Sequence, residues 1–574
     1  MKSGKNGFMR TIHFISSGVA CAFLLGNGLA QGSRLNVLFI AVDDLRPQLK
    51  AYGENQMITP SLDLLAQTSV RFDRHYVQAP TCGASRYAML ASNRPKISAE
   101  LSNEAVRTQI GDANPPAPES MLHLFKQNGY RTVGIGKIGH YPDDRIYAYD
   151  GTGNGRPEMP RSWSEAFLTY GAWNYGWGAF FGYANGMSRE GPNAIIPPPV
   201  AEWADTSDNG YPDGLIAQDA IRKLQELKDS TFFLSVGFFK PHLPFSAPKK
   251  YWDLYNRNTL PLTSYPNLTQ NVAAAYNSPD GEIGQYNSLG LTGDALSRLR
   301  IHGYYACVSY VDAQIGKVLF ALDSLGLRQK TIVVVWGDHG WHLGDNSFWG
   351  KHTLREYSLR SPLFVRVPGM SAGSTMGLVE SIDIYPTLAE LAGLTPPNWI
   401  NGSSFAALLR NPNQQGKCAA FSYWTNGGTS MRTDRYRLTK WVTGTTVNQV
   451  ELYDHQSDPG ETVNIQASST RIRDSLMILL NANSPNCSVV GIEKPEVGKK
   501  DFSFTRNPNG DVMIEPQFTG PYSVVIHDLE GRLVFERNNQ SGPLWVENHF
   551  RSGLYFLKMN AAGARSLVRL IFRP

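Results

Sequence analysis

Residues 35–47 read LNVLFIAVDDLRP. From Leu35 to Val42 the run is apolar except at Asn36, rich in strand formers, and it stops at Asp43-Asp44. An unbroken apolar run of this length reads as a strand buried on both faces, the habit of parallel sheets. It would deliver two carboxylates at its C-terminal end. TFFLSVGF (231–238) and TIVVVWGDHG (331–340) repeat the pattern, the second ending at Asp338-His339. Helical segments lie between them: SLDLLAQTSVRF (61–72), IRKLQELK (221–228) and VSYVDAQIGKVLFALDSLG (308–326). SMLHLFKQNGYRTVGIGKIGH (120–140) reads as helix, a stop at Asn128-Gly129, then strand. Strands alternating with helices predict an α/β fold with a large, mostly parallel sheet flanked by helices. In such sheets ligands bind beyond the carboxyl ends of the strands, where these polar clusters sit.

The chain of 574 residues has room for a large catalytic domain and a smaller module, with the composition of a globular protein at 42% hydrophobic and 18% charged. Net charge is only +5 and no basic run occurs, which argues against nucleic-acid binding. Residues 1–30 carry a basic start, an apolar stretch and a small-residue end at Gly28-Leu-Ala30, the pattern of an export signal. The mature chain then holds Cys82, Cys307, Cys418 and Cys487, too few for a disulfide scaffold. Cys307 reads as helix packing, a Cys418–Cys487 disulfide is left open, and Cys82 has no obvious partner. Texture divides the chain into 31–414, an α/β domain; 415–490, a small antiparallel sheet; and 491–574, a separate β module.

Asp43, Asp44 and Asp338 form an oxygen-rich set of the kind that suits Ca²⁺ or Mg²⁺. A single strand-end aspartate more often caps a helix or closes a turn; two adjacent ones plus a distant Asp-His-Gly are harder to explain that way. Lysine and histidine then recur together: Lys137 with His140, Lys240 with His242, Lys351 with His352. Repeated after α/β elements, such groups predict a pocket for an anion with acid/base help.

With these stretches in view, the chain resembles the type I sulfatases of the alkaline-phosphatase superfamily, within them the iduronate-2-sulfatase group. The likeness is carried by NVLFIAVDDLRP, TCGASRYAMLASNRP, GYRTVGIGKIGH, GFFKPHLPF, GDHGWHLGDNSFWGKHTLRE and SIDIYPTLAELAGL, over about residues 35–485. Cys82-Gly-Ala-Ser-Arg86 matches a signature whose cysteine a maturase oxidises to formylglycine (3-oxoalanine), with alanine at 84 where proline is commoner. The resemblance implies one Ca²⁺ held by Asp43, Asp44, Asp338 and His339 with modified Cys82. It implies that Arg86 and Lys137 hold the formylglycine hydrate and that His140 deprotonates it. His242 and Lys351 would bind sulfate and protonate the leaving alcohol, while Lys240, His342 and His352 would bind substrate. His75 and His123 read as structural.

The closing stretch GLYFLKMNAAGARSLVRLIF resembles a type IX secretion sorting domain, which implies partnership with that machinery and an enzyme secreted or held at the cell surface, the periplasm being the alternative; a carbohydrate-binding sandwich competes with this reading. The expected substrate is a sulfated glycan, with a 2-O-sulfated uronate as the resemblance suggests and ulvan-like, carrageenan-like or heparan-like chains all left open. The segment from Asp150 to Asn209, rich in Gly, Trp and Tyr (WNYGWGAFFGYANG at 173–186), is expected either to stack sugars or to pack an inserted loop. A phosphonate or phosphodiester hydrolase, and an inactive glycan-binding protein, are the competing functions.

Overall fold

The computed structural model describes residues 34–112, 119–277, 281–483, 502–507, 511–517, 519–528, 533–547, 554–561 and 567–572. The segment read as an export signal lies outside them, as do Cys21 and Cys487.

Eight strands form the central sheet: β1 (Asn36–Val42), β2 (Val70–Phe72), β3 (Arg131–Gly136), β4 (Glu165–Phe167), β5 (Phe232–Phe238), β6 (Thr331–Gly337), β7 (Leu363–Arg366) and β8 (Gly373–Thr375). Their order is β8-β2-β7-β6-β1-β5-β3-β4. Only β7 runs against its neighbours β6 and β2; the other pairings are parallel. The expected α/β class with a mostly parallel sheet is what the chain adopts.

β1 sits inside the sheet with every residue buried. Alternation splits it between two cores. Leu38, Ile40 and Val42 face the core that includes Ile216 and Leu224 of the helix Pro212–Leu227 and Tyr304 and Val311 of the helix Gly293–Ser324. Val37, Phe39 and Ala41 face the core that includes Tyr87 and Leu90 of the helix Cys82–Ala91 and Phe125 of the helix Met121–Gln127. Burial on both faces is why the strand carries no alternating polar residues.

A meander of four antiparallel strands follows, Ala420–Trp424, Gly428–Arg432, Tyr436–Thr443 and Thr446–Asp454, with the helix Thr470–Ala482. Cys418 is disulfide-bonded, and Cys307 is a buried free thiol. Further on, antiparallel sheets of three and four strands enclose their own small core of Ile514, Tyr522, Val524, Ile526, Val546, Leu557 and Met559. No described helix is long and apolar enough to cross a membrane.

One polar contact ties the long helix to the sheet's surroundings. The helix Pro60–Ala66 begins without a side-chain cap from Thr59. Asp312 of the long helix supplies it instead, accepting from the backbone N–H groups of Ser61 (3.1 Å) and Leu62 (2.8 Å). Replacing it with alanine strands two N–H donors. Asp312→Ala should therefore cost roughly 1–3 kcal/mol, read as a lower urea midpoint at unchanged slope; an unchanged midpoint would show that water replaces the cap.

Candidate active site

Four of the site's segments leave the carboxyl ends of the neighbouring strands β6, β1, β5 and β3. Asp43 and Asp44 follow β1, and Asp43 N–H donates to Phe238 O of β5 at 3.2 Å. Asp44 adopts a left-handed φ of 58°, uncommon for anything but glycine, asparagine or aspartate. This turns the chain so that Asp44 N–H donates to Asp338 Oδ1 (3.0 Å) and its carbonyl accepts from Tyr304 Oη (2.7 Å). Lys137 follows β3. There Gly136 and Gly237 press together so closely that a Cβ on Gly136 would lie 2.2 Å from Gly237 O. Two glycines are required for β3 and β5 to deliver their next residues to one place.

Cys82 opens the helix Cys82–Ala91 and is 3% exposed. Asn103 seals this end: its Oδ1 accepts from Gly83 N–H at 3.2 Å, and its backbone lies where any Cβ on residue 83 would sit. One helical turn on, Arg86 lies on the same face as Cys82. Its guanidinium donates to Asp43 Oδ1 and Asp338 Oδ2, both at 3.0 Å, and to Lys137 O and Ile138 O. Lys137 Nζ donates to the other Asp43 oxygen (2.7 Å). Lys351 Nζ donates to Asp44 Oδ1 (2.8 Å) and lies 3.2 Å from Cys82 Sγ, which is 3.3 Å from His339 Nε2. His242 Nε2 stands 3.8 Å from Asp44 Oδ2 and 3.4 Å from Glu282 Oε2.

The charges of this buried cluster condition each other. Burial alone would raise Asp43, but Lys137 and Arg86 hold it well below the ordinary carboxyl range. Asp338 is pushed up to about 7 by burial and by Asp43. Burial and Lys351 depress His339 to about 3, and burial with Lys137 holds His140 well below its ordinary value, a neutral imidazole. Burial and Asp43 push the Cys82 thiol up, so it stays protonated at neutral pH. Donor atoms of Asp43, Asp44, Cys82 and His242 lie within 4.8 Å of one another, as do those of Cys82, Asp338 and His339. Asp44 Oδ2 is buried without a hydrogen-bond partner. Three carboxylates and an orphaned oxygen among them fit a hard divalent cation.

The structure brings together Asp43, Asp44, Cys82, Arg86, Lys137, His242, Asp338, His339 and Lys351, with His140 packed on Trp177 nearby (ring centroids 5.2 Å). His352 stacks on Trp424 (5.2 Å) at the cluster's edge, its Nδ1 near Gly281. Two expected substrate contacts are placed otherwise. Lys240 donates to the carbonyls of His242 (3.1 Å) and Pro244 (2.6 Å), bracing the KPHLPF turn from beneath. His342 uses both ring nitrogens internally, on Asp345 O and Thr353 Oγ1, at 2.9 Å each. His75 is likewise saturated by Ser361 and Ser381, and His123 Nδ1 meets Arg161 O. In 173–186, Trp173, Trp177, Phe180, Phe181 and Tyr183 are buried and pack behind His140 and His242, while Tyr175 is half-buried and Trp203, further along the segment, is exposed. Glu282, Arg189, Glu158 and Asn103 complete the surroundings. Each sits in a loop, with no pattern in the sequence to mark it.

The family model described as "Sulfatase" matches residues 35–394, and one described as "N-sulphoglucosamine sulphohydrolase, C-terminal" matches 338–482. A sulfatase of Formosa agariphila is 30% identical over 77% of this chain and 85% of its own length. The iduronate 2-sulfatase of Mus musculus is 30% identical over 76% and 91%. Among solved structures, the phosphonate monoester hydrolase of Agrobacterium radiobacter superposes with a TM-score of 0.65 at 21% identity, covering 81% of this chain and all of that one; it shares the fold.

The loop carrying His140 rests on Glu158, whose carboxyl accepts from the N–H groups of His140 (3.0 Å) and Tyr141 (3.1 Å). Burial and Asp144 push this carboxyl up from 4.5 to about 8. The folded chain thus binds this proton more tightly than the unfolded one. Its stabilising contribution is complete below the ordinary carboxyl range and is lost as pH rises through about 8. The melting temperature should fall across that window, and Glu158→Gln, which cannot ionise, should flatten the fall. An equal slope in both proteins would assign the pH dependence elsewhere.

Proposed function

Because the chain belongs to the sulfatase family and is thus a sulfuric ester hydrolase, we propose that its substrate is a sulfated glycan. The reaction would use Cys82 as formylglycine and Ca²⁺ held by Asp43, Asp44, Asp338 and His339. The observation that carries this is Cys82 itself. It is a buried thiol, 3.3 Å from His339 Nε2 and 3.2 Å from Lys351 Nζ, that burial and Asp43 keep protonated, and a protonated thiol is a poor nucleophile. Converted to a hydrated aldehyde, the residue supplies one hydroxyl to attack sulfur and a second to release the sulfate afterwards. A divalent cation beside it supplies Lewis acidity toward that hydroxyl and a sulfate oxygen.

The chain's own residues do the rest. Arg86 and Lys137 fix Asp43 and face the Cys82 side chain's surroundings, where they orient the nucleophile. Neutral His140, its Nδ1 without a hydrogen-bond partner, is the base for the second hydroxyl. Lys351 holds a sulfate oxygen, and His242 donates to the ester oxygen as the alcohol leaves. Negative charge grows on that oxygen in the transition state, where fixed cations gain most. The name of the mouse relative favours a 2-O-sulfated uronate as the sugar.

The division into 31–414, 415–490 and 491–574 belongs to this reading, with the last part as a type IX sorting module. The export pattern of 1–30 and that module favour a secreted or cell-surface enzyme.

The test is co-expression with a formylglycine maturase. The His75–Arg86 peptide is weighed for conversion of Cys82, and sulfate release is measured from glycans ending in 2-sulfated iduronate, 3-sulfated rhamnose, sulfated galactose or 6-sulfated hexosamine, with a phosphate diester alongside. Release should occur from one sugar class and fall on the order of a thousandfold or more in Cys82→Ala. Turnover of the phosphate ester alone would replace the reading. Calcium at a hundredfold excess over its Kd should add about 2.7 kcal/mol of stability, lost in Asp44→Asn; a melting temperature indifferent to calcium and chelator would remove the metal from the scheme.

A further inference from the structure

Among the described residues, Glu282 is the carboxylate that lies near His242 besides Asp44, which follows β1. It stands beside the turn Ile283–Gln285, far in sequence from every motif of the site. Its two oxygens have different tasks. Oε1 accepts from Arg189 Nη1 at 2.8 Å. Oε2 lies 3.4 Å from His242 Nε2. Arg189 is itself held in place: it also donates to Tyr286 Oη (3.0 Å) and to Glu190 Oε1 (3.1 Å), and its guanidinium lies 3.5 Å from the centre of the Phe181 ring. With a side chain only 6% exposed, Arg189 is a clamp that fixes the rotamer of Glu282.

A carboxylate in a pocket built for a sulfate ester needs a reason, because it repels the substrate's own charge. The geometry offers one. Two adjacent oxygens on a pyranose ring lie within hydrogen-bond distance of each other. His242 Nε2 and Glu282 Oε2 are spaced to meet such a pair. If the histidine donates to the ester oxygen, the carboxylate is placed against the oxygen on the neighbouring carbon. An ionised carboxylate can only accept, so the group it meets must be a donor. A free hydroxyl qualifies; a second sulfate or an ether does not.

Resting on the sulfatase reading above, we propose that Glu282 is a specificity-determining residue that selects sugars with a free hydroxyl beside the sulfated carbon and rejects those with a second anion there. Arg189 is its positioning residue. The substrate class is therefore a glycan unit that is monosulfated at the vicinal pair, and a vicinally disulfated unit must lose its neighbouring sulfate to another hydrolase first.

The experiment uses the full, formylglycine-converted chain and three proteins: the wild type, Glu282→Gln and Glu282→Ala. The probes are methyl glycosides of 2-sulfated iduronate and 3-sulfated rhamnose, each with the neighbouring hydroxyl free, removed or sulfated, and 4-methylumbelliferyl sulfate, which has no neighbouring hydroxyl. In the wild type, kcat/KM should drop about 10- to 100-fold when the hydroxyl is removed, the size of one hydrogen bond to a charged group, and further when it is sulfated. In Glu282→Ala the two substrates with and without the hydroxyl should become nearly equal. Glu282→Gln, which keeps an acceptor and gains a donor, should narrow the gap to the disulfated sugar while keeping part of the hydroxyl preference.

The same deoxygenation penalty in wild type and Glu282→Ala would overturn the proposal. So would a Glu282→Ala enzyme faster on every probe, which would make the carboxylate a plug that substrate displaces. Release from the aryl sulfate alone would also overturn it and leave the sulfatase reading standing. Silence on every probe from a fully converted chain would sink that reading as well.

Discussion

The whole active-site end of the sheet depends on one guanidinium. Arg86, with no exposed surface, bridges Asp43 and Asp338, which follow two different strands, and reaches two backbone carbonyls beyond a third. Isolated burial of any of these charges would cost several kcal/mol. Together with Lys137 and Lys351, Arg86 sets three fixed cations against the three carboxylates. The balance lets a helix N-terminus bearing Cys82 approach a cluster that would otherwise repel any further negative group. It also dictates helix register. Cys82 and Arg86 are four residues apart, so anchoring the arginine anchors the cysteine.

A second ionic network governs the other side. Glu356, five residues beyond Lys351, accepts from Arg437 (2.6 Å) of the antiparallel meander, and Arg437 also donates to Glu461 (2.6 Å), which accepts from Glu356 N–H and pairs with His455. These carboxylates and His455 have the donor types of a metal site, but the guanidinium already fills the space among them, and the group reads as a buried dock. The meander is therefore part of what holds the loop of Lys351, in keeping with the family match that spans residues 338–482 across both regions.

Much of this was legible in the chain. Runs such as LNVLFIAV and TIVVVWG announce doubly buried strands because burial on both faces leaves few polar residues and no alternation, and the residues after them fall at the ends where parallel sheets bind ligands. Cys82, Arg86, Lys137 and the three aspartates, which meet in the structure, could be singled out because they sit in compact stretches with fixed spacing. Side-chain direction was less legible. Lys240 stands beside His242 in sequence, yet its ammonium is drawn under the turn by the carbonyls of His242 and Pro244. His342 lies near His339, yet Asp345 and Thr353 saturate its ring. Nearness in sequence puts residues in one loop without deciding which way they point. Glu282 and Arg189 show the converse: 93 positions apart, they meet only through tertiary structure.

That distance has a counterpart in the history of each molecule. Asp44 and Lys351 are separated by 307 positions, and Asp44 and Asp338 by 294. Contacts of such long range form late, after the entropy of closing large loops has been met. A half-gathered cluster would bury carboxylates without their cations, so partial assembly gains little and the site closes as a unit. Cys82, nearly inaccessible afterwards, is open to solvent and reagents only while the chain is still unfolded. Any chemistry at that thiol from outside is thus confined to the interval before the long loops close.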